Sequence, residues 1–210
     1  MKILKSILAI TILAFATVSC SDSNDNVPDD VVAKQVANLH AKQITDYSVN
    51  PPAAAGDFIK FSFSTGAVVT SDNWDIAFRG TTILVNGGTV TGNTNEPERT
   101  GNASLALLEN TFSDVKEAPL QAVFKQDAAN ALALPKSTWY SYDPTDHSID
   151  PVTGKIIVVK TIDGNYAKME ILSYYKDMDS SNSADPANSG AQYYTFNYVY
   201  NPNTGDKNLQ

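Results

Sequence analysis

Short stretches that alternate between apolar and polar residues recur along the chain and predict β-strands. In "FIKFSF", Phe61 and Phe63 share one face of an extended segment, while Lys60 and Ser62 share the other. The segment "NYAKMEIL", further along the chain, alternates in the same way. Strands of this kind have one buried and one solvated face, and such strands usually pair antiparallel.

Several further segments are short, rich in β-branched and aromatic residues, and bounded by Gly, Asn, Asp or Pro. The full set is Phe58–Ser64, Trp74–Val85, Trp139–Asp143, Lys155–Thr161, Asn165–Tyr175 and Gln192–Tyr200. The dipeptide Asp163-Gly164 separates two of them and is typical of a tight hairpin. The sequence therefore predicts a mainly β domain in which residues 155–161 and 165–175 form one hairpin.

One segment departs from the strand pattern. Residues 112–135, "FSDVKEAPLQAVFKQDAANALALP", are rich in alanine, and apolar residues between Leu120 and Leu134 precede Pro135. This composition favours a helix near residues 119–132, packed on the sheet as a minor helical insertion.

The N-terminus has the pattern of a secretion signal. Lys2 and Lys5 precede an apolar stretch from Ile7 to Val18 that is too short to span a bilayer. Cys20, the one cysteine of the chain, follows directly and resembles the lipidated cysteine of bacterial lipoproteins, although Thr17 occupies the position where leucine is usual. We expect cleavage of residues 1–19 and lipidation of Cys20; the alternative is an ordinary secretion signal that leaves a free thiol.

The segment after Cys20 is polar and acidic, "SDSNDNVPDD", and cannot bury enough apolar surface to fold. We expect a flexible tether over residues 20–35 and a single β domain over residues 36–210. A Ser/Asp-rich run next to a lipidated cysteine looks like the export signal that brings Bacteroidetes lipoproteins to the cell surface. The expected location is therefore the outer membrane, with the protein lipid-anchored and exposed on the cell surface.

Charge and composition exclude several classes of function. The formal net charge is −8, so long-range attraction to nucleic acid is not expected. The sequence contains no pair of zinc-binding cysteines and no phosphate-binding glycine loop.

Several motifs together resemble the HmuY family of Bacteroidetes lipoproteins. They are "FIKFSFSTG" (58–66), "NWDIAFRGTTILVNGG" (73–88), "ERTGN" (98–102), "WYSYDP" (139–144) and "GKIIVVKTIDGNYAKMEILSYYKD" (154–177), and their order is kept across residues 55–205. The resemblance implies an antiparallel two-sheet β fold with a minor helical insertion and a lipid anchor. It also implies that the protein captures heme and passes it to an outer-membrane TonB-dependent receptor.

Heme capture requires an apolar slot and an axial iron ligand such as histidine or methionine. The resemblance places one histidine ligand in the loop that contains His147, so His147 is the first candidate; the alternative is an exposed loop residue without a role. The resemblance places the second ligand within residues 112–135, where this chain has neither histidine nor methionine.

The remaining candidates for the second ligand are Met178, which follows a predicted strand, and His40, near the tether. Met169 alternates with apolar residues and is expected to pack in the core. Heme held by one side chain, or no heme binding at all, remains open.

The same region of the sequence offers two other functions. A hydrolase would need His147 to pair with a serine nucleophile and an orienting aspartate. The candidates, Ser141 or Ser148 with Asp143, Asp146 or Asp150, all lie within one short loop, and no G-x-S-x-G motif is present, so we do not expect an enzyme. Tyrosines of the late strands could instead form a surface that binds glycans or proteins, as in an adhesion module.

Overall fold

The computed structural model describes residues 28–182 and 190–210. The predicted signal peptide and Cys20 lie outside the described residues, as do residues 21–27 of the expected tether. The first strand begins at Val32, inside the range 20–35 expected for the tether. Within the described part of the chain, no helix is long and apolar enough to cross a membrane.

The described residues form thirteen strands in chain order. They are β1 (Val32–His40), β2 (Ile44–Asp46), β3 (Ala53–Ala55), β4 (Ile59–Ser62), β5 (Ala67–Val68), β6 (Ile76–Arg79), β7 (Thr82–Val85), β8 (Ser104–Glu109), β9 (Tyr140–Tyr142), β10 (Ile149–Pro151), β11 (Lys155–Lys160), β12 (Tyr166–Tyr175) and β13 (Ala191–Asn201). Three short 3₁₀ turns cover Gln121–Val123, Lys176–Met178 and Ser180–Asn182.

Two sheets and two small hairpins make up the fold. The large sheet has the order β1-β13-β12-β11-β8, and the small sheet has the order β5-β4-β6-β7. The hairpins β2–β3 and β9–β10 stand outside these sheets. All named strand pairs are antiparallel, which confirms the predicted mainly β, antiparallel architecture.

The main core lies between the two sheets. Phe61 and Phe63 of the small-sheet side meet Phe196 and Tyr198 of β13 edge to face, with ring centroids 5.5 to 6.0 Å apart. Met169 is fully buried in the same core, as the alternation pattern predicts. Burial of these large rings is the main source of the attraction between the sheets.

The outer face of the large sheet is also covered, which the alternation pattern did not predict. Ile156, Val158 and Tyr166 pack there against Val115 and Leu209. Lys168, expected on a solvated face, is only 3% exposed and donates hydrogen bonds to the carbonyl oxygens of Phe112 and Val115, each at 2.7 Å. Burial lowers the pKa of this lysine. The prediction of one wet face was therefore wrong for this strand.

The predicted hairpin is confirmed: β11 and β12 pair antiparallel, and Gly164 has φ of +82° in the turn between them. The segment 74–85, read from sequence as one strand, is two. The chain reverses at Gly80, which has φ of +51°, so that β6 pairs with β7.

The predicted helix at residues 119–132 is wrong, because only the 3₁₀ turn Gln121–Val123 forms there. Leu120 is 74% exposed, so the apolar residues of this segment do not form one buried stripe. The backbone of Lys125 instead exchanges two hydrogen bonds with Leu105, of 2.8 and 2.9 Å. Pairing with β8 therefore overrides the helix propensity of the alanine-rich composition.

Candidate functional site

His147 lies in the turn of the β9–β10 hairpin and is exposed. Its φ is +61°, a left-handed conformation that histidine adopts more readily than most residues. Nδ1 of the imidazole is hydrogen-bonded to the Tyr142 hydroxyl at 2.5 Å. This contact orients the ring and leaves Nε2 as the atom available to a ligand.

The serines of this hairpin bond to Asp150, not to the imidazole. The Ser148 hydroxyl donates to the Asp150 carboxylate at 3.2 Å, and the Ser141 hydroxyl donates to the Asp150 carbonyl oxygen at 3.4 Å. Hydrogen bonds from Ser148, and to a smaller extent the charge of His147, lower the pKa of Asp146. The hairpin therefore lacks the nucleophile–base hydrogen bond that a hydrolase uses.

The hairpin is held against the end of β12 by aromatic residues. The backbone N–H of Ile149 donates to the Tyr175 hydroxyl at 2.7 Å. Trp139, 2% exposed, packs against Tyr174 and Tyr194 with ring centroids 6.1 and 5.4 Å away. These tyrosines pack in the core and do not form an exposed binding face, and burial raises the pKa of both Tyr174 and Tyr194.

Met178 lies just past the end of β12, with its side chain 53% exposed. The preceding residue, Asp177, exchanges two hydrogen bonds with the side chain of Asn38, at 2.8 and 2.7 Å. Asn38 has φ of +57° at an irregularity in the pairing of β1 with β13. These bonds tie the Met178 segment to β1, two residues before His40.

His40 is the last residue of β1 and is paired with Tyr193 of β13. The two rings are stacked, with centroids 4.1 Å apart and planes 7° apart. Partial burial, and secondarily the charge of Lys42, lower the pKa of His40. The imidazole is therefore neutral near pH 7, the form that binds iron.

The three predicted ligand candidates lie at the same end of the large sheet. His40 ends β1, Met178 follows β12, and the His147 hairpin is bonded to the last residue of β12. Within the described residues, no hydrogen bond or ring contact joins His147 to the other two, so the structure brings them to one end of the molecule without forming a closed ligand pair. No cluster of three or more His, Cys, Asp or Glu that could hold a metal ion occurs among residues 28–182 and 190–210.

Sequence reasoning missed the supporting residues of this end. The Tyr142–His147 bond, the Tyr175–Ile149 bond and the His40–Tyr193 stack each join residues whose contact depends on strand register. The sequence does show a concentration of tyrosines in the late strands. That concentration does not indicate which tyrosine rings contact the histidines.

The fold and these side chains define a two-sheet antiparallel β protein that presents exposed imidazole and thioether groups at one end. A family model described as "HmuY protein" matches residues 54–198, more than half of the chain. The chain belongs to the HmuY family.

Three solved structures of bacterial proteins are similar to this chain. An apo HmuY analog of Tannerella forsythia is 16% identical, with 85% of this chain and 100% of that chain covered and a TM-score of 0.48. A candidate HmuY-like heme binding protein of Bacteroides vulgatus is 13% identical, with 84% and 97% covered and a TM-score of 0.45. A candidate lipoprotein of Bacteroides fragilis is 14% identical, with 84% and 96% covered and a TM-score of 0.43. The search of curated proteins found no match to this chain.

Proposed function

We propose that this protein is a cell-surface lipoprotein that binds heme and passes it to an outer-membrane TonB-dependent receptor. The proposal rests on membership of the HmuY family together with one observation, the exposed His147 imidazole. Its Nδ1 is held by Tyr142, and its Nε2 has no hydrogen-bond partner among the described residues. An imidazole fixed at one nitrogen and open at the other is suited to bind iron.

The side chains at this end of the large sheet fit a heme group in their chemistry. Neutral imidazole and thioether sulfur are both heme-iron ligands, and His147, Met178 and His40 supply these groups at one end of the sheet. Apolar side chains at this end are also partly open to solvent, with Tyr142 51% and Val152 38% exposed. These surfaces would lie against the porphyrin, while His147 supplies the first axial ligand and Met178 or His40 the second.

A heme titration of the soluble mature chain, residues 21–210, tests the proposal. We expect a Soret band that shifts on binding, with the band lost or strongly weakened in His147→Ala because the first axial ligand is removed. Additional weakening in Met178→Ala or His40→Ala would identify the second ligand, measured with oxidised and reduced iron.

A wild-type Soret spectrum in His147→Ala would refute His147 as the ligand. Absence of any spectral change in the wild-type chain would refute heme binding and favour the alternative, an adhesion or glycan- and protein-binding module.

One observation favours that alternative: the β2–β3 hairpin presents Ile44, Tyr47 and Val49 with exposed fractions of 49%, 80% and 45%. Several exposed apolar groups within one hairpin are typical of a protein contact surface.

The lipid anchor is a separate part of the proposal and rests on Cys20. We expect cells that express the full chain to incorporate a labelled fatty acid into it, and Cys20→Ala to abolish the label because no other cysteine is present. Protease treatment of intact cells should degrade the wild-type protein if it is exposed on the surface. Equal labelling of the Cys20→Ala chain would contradict lipidation at this residue.

A further inference from the structure

A polar cleft lies at the opposite end of the large sheet from His147. Its volume is about 220 Å³, and it is lined by Asn102, Ser104, Gln121, Phe124, Gln126 and Lys160. Lys160 is the last residue of β11 and Ser104 the first residue of β8, and these two residues are paired. The volume is below the roughly 300–1,000 Å³ of sites for drug-sized ligands, which indicates a ligand of about one ring.

Hydrogen bonds inside the cleft fix the orientation of its carboxamide groups. The carbonyl oxygen of Ala103 can only accept, so Gln126 presents Nε2 to it at 3.0 Å, and the same nitrogen donates to Oδ1 of Asn102 at 2.8 Å. The Lys160 ammonium can only donate, so Gln121 presents Oε1 to it at 3.0 Å. The amide oxygens of Asn102 and Gln121 are therefore occupied, and their NH₂ groups remain to donate to a ligand.

Two further groups of the cleft remain open to a ligand: the Lys160 ammonium, which bonds to the neutral Gln121 side chain, and the Ser104 hydroxyl. Among residues 28–182 and 190–210, Lys160 forms no ion pair with a carboxylate, although the chain as a whole is acidic. Ser104 is only 4% exposed, and its hydroxyl forms no hydrogen bond within the same part of the chain. An ammonium without a carboxylate partner, beside N–H groups that can still donate, favours a ligand with a negative charge, because charge-assisted hydrogen bonds are the stronger ones.

One wall of the cleft is apolar. Phe124 is half-buried, and its ring packs against Tyr166 with centroids 6.0 Å apart, which holds it in place. A fixed aromatic face beside polar donors suits a ring with C–H groups on one face and hydroxyls at its edge. We propose that this cleft binds one acidic sugar unit of the uronic acid class. The carboxylate lies on Lys160, the hydroxyls accept from Asn102 and Gln121, and the ring lies on Phe124.

Saturation-transfer NMR with D-glucuronate as the probe tests this site on the mature chain, residues 20–210 with Cys20→Ala. D-glucose is the matched control ligand, since it replaces the carboxylate with a hydroxymethyl group, and acetate controls for binding of a carboxylate alone. We expect saturation of the glucuronate ring protons at millimolar concentration, and much weaker signals for both controls. Lys160→Gln should weaken glucuronate binding about tenfold, the usual effect of removing a charged hydrogen-bond partner.

Two further variants make the test specific to the cleft. Phe124→Leu should reduce saturation of the sugar C–H protons, and Lys155→Gln, at the other end of β11, should leave binding unchanged. The proposal is overturned if glucuronate does not bind, if glucose or acetate binds as well as glucuronate, or if Lys160→Gln binds like wild type. An unchanged melting temperature of Lys160→Gln would show that any loss of binding is not unfolding. The site is independent of heme, so the result neither requires nor refutes heme binding.

Discussion

The His40 imidazole is the candidate ligand whose protonation the structure predicts most directly. One face of the ring lies against Tyr193, and this partial burial, with a smaller effect from Lys42, lowers its pKa below the ordinary value of 6.5. The unfolded chain therefore takes up this proton at a higher pH than the folded chain does. On acidification below 6.5, the His40 contribution opposes folding, and it is relieved as pH rises through that window.

The titration of His40 can be measured by following its ring protons by NMR in the His147→Ala chain, where it is the one histidine left. We expect a midpoint below 6.5. Tyr193→Ala should raise that midpoint because it exposes the ring to water, and Lys42→Ala should raise it by less because the lysine charge is the smaller cause. A midpoint at or above 6.5 in the parent chain would contradict the burial of this ring.

At the residue scale, the sequence predicts which candidate ligand residues are exposed better than it predicts which residues they contact. The prolines and aspartates around His147 indicate an exposed turn, and the structure agrees. Asp75 is a residue whose role the sequence does not predict. It is 1% exposed and accepts hydrogen bonds from the N–H groups of Phe63 and Ile162, at 2.8 and 2.9 Å. These two bonds link the two sheets. Nothing in the pattern around Asp75 indicates a partner 87 positions away in sequence.

The β11–β12 hairpin is the element whose prediction depended on a single dipeptide. A Cβ at Gly164 would meet no heavy atom within 4 Å, so its φ of +82° is the one reason for glycine there. Gly164→Ala should therefore lower the free energy of unfolding by about 1–2 kcal/mol, the cost of a left-handed conformation for alanine. Gly164→Asn should cost less, since asparagine adopts this conformation more readily. Urea unfolding of the three chains measures both differences.

Gly66→Ala is the control for this hairpin prediction. Gly66 also has positive φ, of +65°, but a Cβ there would lie 2.5 Å from the hydroxyl of the buried Tyr198. This substitution should destabilise the protein more than Gly164→Ala because steric overlap adds to the backbone strain. Equal losses in the two variants would show that the turn at Gly164 is more constrained than its open surroundings indicate.

Elements could be predicted from sequence where local preference and tertiary pairing agree. Asp163-Gly164 favours a tight turn, and both adjoining strands are β-branched and aromatic, so the hairpin follows from local residues alone. Residues 119–132 favour a helix locally, but Lys125 pairs with Leu105 and Asp127 is buried under several N–H donors. The contacts with Leu105 and Val85 join residues that are distant in sequence, and the composition of the segment cannot indicate them.

At the scale of the whole molecule, the packing of the sheets and of the segment that covers the large sheet depends on residues that the alternation pattern assigns to the polar surface. Lys168 attaches the segment 112–115 to the outer face of the large sheet, and Asp75 joins β4 to the turn after β11. Alternation identifies the inner faces correctly at Phe61 and Met169, which are buried. It cannot indicate the second covered face, because the covering segment is irregular and its register is set by main-chain carbonyls.

A buried charge network joins the small sheet to the segment after residue 127. Arg99 contacts both Glu96 and Asp127 at 2.8 Å, and all three side chains are nearly inaccessible to solvent. The Asp127 carboxylate also accepts from the N–H groups of Val85 and Ala133, at 3.1 and 2.9 Å. Burial raises the pKa of Asp127, although these hydrogen bonds and Arg99 act in the opposite direction.

Removing this carboxylate should destabilise the whole fold. Asp127→Ala leaves two buried N–H groups and part of the Arg99 charge without a partner, so we expect a loss of about 3–5 kcal/mol in the free energy of unfolding. Asp127→Asn should lose less, because its amide oxygen can still accept from Ala133. Glu109→Ala is the control: Glu109 pairs with Lys155 at the exposed edge of the large sheet, where solvent screens the pair, so its removal should change stability little. Urea unfolding at neutral pH compares the three variants. If Asp127→Ala is no less stable than Glu109→Ala, the buried network does not hold the small sheet to the rest of the protein.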